Sequence, residues 1–84
     1  MRRVVQIKKI IEISPLWRVT AQDLNREMAL GLHRELTLFF SEHHGIAGKF
    51  VDSRVFKKLF NRDWVVQVVV NDPIVANIVA VKMG

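Results

Sequence analysis

The stretch TAQDLNREMALGLHRELTLFFSEHHG, residues 20–45, organises the reading of this chain. Leu24, Met28, Leu32, Leu36 and Phe40 recur every four residues, joined by Ala21, Ala29 and Phe39. That is the spacing of one buried helical face. Thr20 followed by Asp23 reads as an N-cap with part of a capping box, and Gly45 as a stop. The pattern predicts a long amphipathic helix from about residue 21 to His43. Gly31 weakens it by about 1 kcal/mol relative to Ala and reads as a point of close packing.

Working outward, Val5, Ile7, Ile11 and Ile13 fall on one face of residues 4–13, with Lys9 interrupting, and Gln6, Lys8 and Glu12 fall on the other. This alternation predicts a half-buried strand with a basic outer face, ended by Pro15. After the helix, Gly45-Ile46-Ala47-Gly48 reads as a turn and Lys49-Phe50-Val51 as a short extended segment. Asp52 or Ser53 then caps a second, short helix that buries Val55, Phe56, Leu59 and Phe60. Arg54, Lys57, Lys58 and Arg62 cluster on its other side. Trp64 to Val70 is β-branched and reads as a strand; Asn71-Asp72-Pro73 turns, and Ile74 to Val81 returns as its hairpin partner. The expected fold is α+β, in the order β-α-(β)-α-β-β: a small sheet with helices packed on one face, a single domain over residues 1–84.

Length and composition narrow the function classes. A chain of 84 residues buries only about 60% of its unfolded surface and gains from a partner. With half its residues hydrophobic it is no disordered basic tail, and without cysteine it has neither disulfides nor thiolate ligands. Met1-Arg2-Arg3 opens like a signal peptide, but Gln6, Lys8, Lys9 and Glu12 break the apolar run that should follow. The most apolar window, Trp64 to Val81, contains Asp72 and Pro73 and does not read as a membrane span. A soluble, cytoplasmic chain is expected.

Charge is unevenly placed. The chain carries 13 Lys and Arg against 8 Asp and Glu, for a net charge of +5. Residues 21–43 set Arg26 and Arg34 against Asp23, Glu27, Glu35 and Glu42, so the surplus of cations lies wholly outside the long helix. It concentrates at Arg2, Arg3, Lys8, Lys9 and Arg18, and again at Lys49, Arg54, Lys57, Lys58 and Arg62. If the first strand neighbours the second helix, these ten residues form one basic surface suited to an RNA phosphate backbone. Of the two tryptophans, Trp64 reads as a packing residue and Trp17 as the one available for stacking on a base.

Other chemistry finds little support. His43 and His44 suit a helix C-terminus without any metal. Ser14, Ser41 and Ser53 lack the context of a nucleophile, and the carboxylates read as caps, turns and solvated helix charges. No catalytic residue, metal, cofactor or small-molecule substrate is expected. Gly45-Ile46-Ala47-Gly48 is similar to the Gly-x-x-Gly of KH domains, but its apolar middle pair and the long preceding helix favour a simple turn.

The run Val51-Asp52-Ser53-Arg54-Val55-Phe56-Lys57, with Leu59 and Phe60 after it, resembles the archaeal and eukaryotic large-subunit ribosomal protein family numbered thirty-one. That family has an Ile-Asp-Thr-Arg-Leu-Asn-Lys run leading into a short basic helix. The strand Val4 to Ile10 and the closing apolar hairpin also resemble the family. The acidic first helix, the shortened loop Asn61-Arg62-Asp63 and the weakly charged hairpin depart from it. The resemblance implies a divergent or reduced structural constituent of the large subunit. It would bind large-subunit ribosomal RNA near the polypeptide exit tunnel, with Arg54, Lys57 and the strand-one lysines on phosphates and other ribosomal proteins as neighbours. Two alternatives remain: a RelE/ParE-type toxin, a ribosome-dependent RNA endonuclease whose β-α-α-then-meander order and Ile13-Ser14-Pro15 opening are similar, and a small protein-interaction module using the apolar hairpin.

Overall fold

The computed structural model describes residues 7–58 and 63–84. The chain is α+β. It runs β1 (Ile7–Ile13), β2 (Leu16–Leu24), α1 (Arg26–Glu42), a single turn α2 (His44–Ala47), β3 (Phe50–Lys57), β4 (Trp64–Val70) and α3 (Pro73–Lys82). All neighbouring strands are antiparallel, in the order β1-β2-β4-β3. Two hairpin-plus-helix halves thus meet along the central β2–β4 pair. The β1–β2 connection is Ser14-Pro15, whose peptide bond is cis.

Both long helices lie on one face of the sheet. Helix α1 covers β3 and β4, and α3 covers β1, β2 and β4, so each hairpin is roofed mainly by the other half's helix. Period-two alternation sends Val19 and Ala21 of β2 and Val66, Val68 and Val70 of β4 into this core. There they meet Ala29, Leu32, Leu36 and Phe40 of α1 and Val75, Ala76, Val79 and Ala80 of α3. Each large aliphatic side chain so removed from water contributes about 1.5–3 kcal/mol.

Four expectations are corrected. The helical stripe over Leu32, Leu36 and Phe40 is present, but α1 begins after Asn25, whose side chain accepts from the Met28 N–H at 2.8 Å. Thr20 is instead a mid-strand residue of β2. A bulge explains why residues 16–24 mimic the helical spacing: the ladder to β4 slips between Ala21 and Leu24, with Asp23 at φ 60°. That extra residue lets Ala21 and Leu24, of opposite parity, both face the core.

The second helix expected from Asp52 or Ser53 is strand β3, paired along its length with β4. Val55 packs toward the core while Phe56 takes the opposite face; Leu59 and Phe60 lie outside the described residues. Ile74 to Val81 is not a hairpin partner but helix α3. Asp72 Oδ1 accepts from the N–H groups of Ile74 (2.8 Å) and Val75 (3.3 Å), and Pro73 supplies the preset φ of a first helical residue. Finally, Ile11 and Ile13 of β1 do not face the core; they lie on the far side of the sheet, both exposed.

Among the described residues no helix is long and apolar enough to cross a membrane.

Candidate nucleic-acid interface

Among the described residues, no element covers the sheet face opposite the helices. Strand pairing lays that face out in rows. One row crosses all four strands through Lys9, Thr20, Gln67 and Arg54. With strands about 4.8 Å apart, its ends stand roughly 14 Å from one another. The next row holds Ile11, Arg18, Val69 and Asp52. Arg18 is therefore a diagonal neighbour of Lys9, about 7–8 Å away. Beyond the polar row come Phe56 and Val65, directly paired.

These residues form a working surface. Lys9, Ile11, Arg18, Thr20, Gln22, Phe56, Lys58, Val65 and Gln67 line one open depression of about 370 Å³. Lys58 Nζ donates to Gln22 Oε1 at 3.0 Å, holding the lysine over the sheet, and the Phe56 ring is 42% exposed. Arg54 Nε pairs with Asp52 Oδ2 at 2.7 Å, in solvent-exposed geometry. Such a pair contributes little to stability, but it fixes the direction of the guanidinium. Four cations thus face one strand carboxylate, with the Gln22 and Gln67 amides among them and one aromatic ring beside them; Thr20 stands in the same row but is only 7% exposed. The arrangement can hold phosphates at several points and stack one base.

The ten basic residues proposed from the sequence divide three ways. Lys9, Arg18, Arg54 and Lys58 gather on the open face. Lys8 and Lys57 sit on the helix side of the two outermost strands, opposite Ala21 and Trp64, and Lys49 follows α2, its carbonyl accepting from the Asn71 N–H. Arg2, Arg3 and Arg62 lie outside the described residues. The first strand does not adjoin a second helix, because β1 and β3 are opposite edges of the sheet. The cations gather through strand periodicity instead.

Trp17 is not the available aromatic; it packs against the core, as Trp64 does. Phe56 holds that position, and it was missed because a helical reading buries it. Gln22, Thr20 and Gln67 were also missed, since a polar residue in a strand signals only an outward face. The acidic helix lies on the other side: Glu27, Glu35 and Glu42 all belong to α1. At its end, His43 Nδ1 donates to the Phe39 carbonyl at 2.8 Å, and its ring stacks 4.2 Å from that of Phe39. No three His, Asp or Glu side chains converge on a metal position among the described residues. No family model, curated protein or solved structure matches this chain.

Proposed function

We propose that this chain is a non-catalytic RNA-binding protein that grips a folded RNA with its open sheet face. The observation that carries the reading is the row Lys9–Thr20–Gln67–Arg54, flanked by Arg18, Lys58 and Phe56. The cations come from β1, β2, β3 and the residue after β3, and they share a surface with an exposed ring. The carboxylate-rich helix α1 is held on the opposite face, where it does not repel a polyanion. Large-subunit ribosomal RNA is the partner proposed, with a place in the cytoplasmic ribosome, on the strength of the resemblance at Val51–Lys57. That run forms a strand here rather than a helix, so the residues carry the likeness and the local geometry does not. The observed order, two strands, two helices, two strands and a helix, departs alike from the β-α-(β)-α-β-β order expected with the ribosomal resemblance and from the β-α-α-then-meander order of the toxin alternative.

Titration of large-subunit ribosomal RNA fragments with the chain, across a salt series, tests the proposal. Affinity should fall steeply with salt. Lys9→Ala and Arg18→Ala should each lower the log–log slope by about 0.7–0.9. Lys49→Ala, away from the open face, should leave the slope unchanged. Phe56→Ala should cost about 1–3 kcal/mol of binding. A flat salt response overturns RNA binding. Steep binding to any RNA, with no co-sedimentation of the chain with large subunits, overturns the ribosomal partner, and cleavage of the RNA overturns the non-catalytic role.

A further inference from the structure

We infer that β1 is the seam of a homodimer, in which two copies pair their β1 strands antiparallel about Ile10. This inference stands apart from RNA binding and rests on the edge of the sheet.

Strand β1 is an outer strand whose seven residues pair with β2 without a bulge or proline. Among the described residues no strand pairs with its outer backbone edge, which is a template for a further strand. Ile10, Ile11 and Ile13 are 43%, 39% and 46% exposed along it. Edge strands left bare are usually blunted by charge. Here the charges are arranged so that a second copy neutralises them.

In an antiparallel pair centred on Ile10, each residue meets the one equally far from the centre. Lys8 then falls opposite Glu12 of the second copy, and Glu12 opposite Lys8 of the second copy, so that two ion pairs form by symmetry. Lys9 falls opposite Ile11 and Ile10 opposite itself. Facing also agrees. Lys8, Ile10 and Glu12 lie on the helix side, opposite Ala21, Val19 and Trp17 of β2, while Lys9 and Ile11 lie on the open side. Lys8 and Glu12 are exposed, and neither has an ion-pair partner among the described residues. The lysine stem at position 9 can lie along Ile11 of the second copy while its charge stays in water.

The other edge does not offer this. β3 has a register shift between Phe50 and Asp52, which disrupts pairing. Asp52 is already bound to Arg54 at 2.7 Å, and a pair centred on Ser53 sets Lys49 against Lys57 of the second copy. Joined through β1, the two sheets become one of eight strands, and the open faces of both copies become continuous on one side.

The test is sedimentation velocity of the full chain, stripped of nucleic acid, over a concentration series at low salt. The wild type should show a reversible monomer–dimer equilibrium. Lys8→Glu and Glu12→Lys should each weaken it about tenfold or more, because every symmetric pair becomes a repulsion. The combined K8E/E12K chain, with the same net charge as the wild type, should recover the wild-type dissociation constant. Both positions are exposed, and far-UV circular dichroism verifies folding of each variant. A chain that stays monomeric at its highest soluble concentration overturns the inference. So does failure of the double reversal to rescue. Ile74→Glu with Val81→Glu, on the exposed outer side of α3, is the competing arm: dissociation by this variant but not by K8E places the interface on α3 and overturns the β1 seam. None of these outcomes bears on RNA binding, which is read by the salt slope.

Discussion

Lys58 and Gln22 are 36 residues apart in the chain, yet the lysine ammonium donates to the glutamine carbonyl oxygen at 3.0 Å. The bond ties the end of β3 to β2 across β4, over the side of the sheet that has no helix. Val65 of β4 lines the same depression and is only 1% exposed, with Phe56 paired beside it; a lysine stem held over this face can add apolar cover. Lys58→Met keeps the stem and removes the bond, whereas Lys58→Ala removes both. In urea denaturation the methionine variant should lose about 1 kcal/mol, and the alanine variant more. With Gln22→Ala added, the Lys58→Met cost should largely vanish, which a double-mutant cycle reads directly.

Asp23 occupies the left-handed region at φ 60°, where a Cβ is crowded and Asp or Asn are better tolerated than other residues. Its conformation creates the bulge that admits Leu24 to the core. Asp23→Gly should therefore be neutral or slightly stabilising. Asp23→Val should cost about 1–2 kcal/mol, measured as a lowered denaturation midpoint with an unchanged slope.

In the sequence Gly31 reads as a point of close packing. A Cβ built there would have no neighbour within 4 Å. The residue therefore imposes the entropic cost of glycine in a helix without a packing benefit. Gly31→Ala should stabilise the chain by about 1 kcal/mol, seen as a rise in melting temperature of about 4–8 °C for a domain of this size.

How far the fold was legible depended on whether two periodicities competed. Trp64 to Val70 is β-branched at every position but Trp64 and Gln67, and it is a strand; residues 7–13 are a strand too, although Ile10 and Ile11, adjacent and apolar, fall on opposite faces of it. Leu32, Leu36 and Phe40 have no strand rival, and they line α1. The failures came where residues fit both spacings. The bulge at Asp23 lets a strand imitate a helix. Val55 and Phe56, adjacent and apolar, look like one helical side until pairing with β4 splits them between two faces. For α3 the signal was present and misread. Asp72-Pro73 is a cap followed by a first-turn proline, but five β-branched residues between Ile74 and Val81 argued for a strand. Packing against the sheet overrides that weak preference.

The candidate site was legible in part for the same reason. Lys9, Arg18, Arg54 and Lys58 were all singled out by charge, but which cations would share a face depends on strand order. The antiparallel β2–β4 contact places Thr20 beside Gln67, and composition alone does not reveal it.

The crossed placement of the helices has a consequence for how this chain can come into being. Because α1 shelters the second hairpin and α3 the first, a nascent chain that has only reached Gly48 has made a helix with no hairpin beneath it. Its first two strands still lack their cover. Assembly has to wait for the C-terminal turns of α3, and a backbone cut between the halves would leave two pieces that clasp each other rather than two independent folding units.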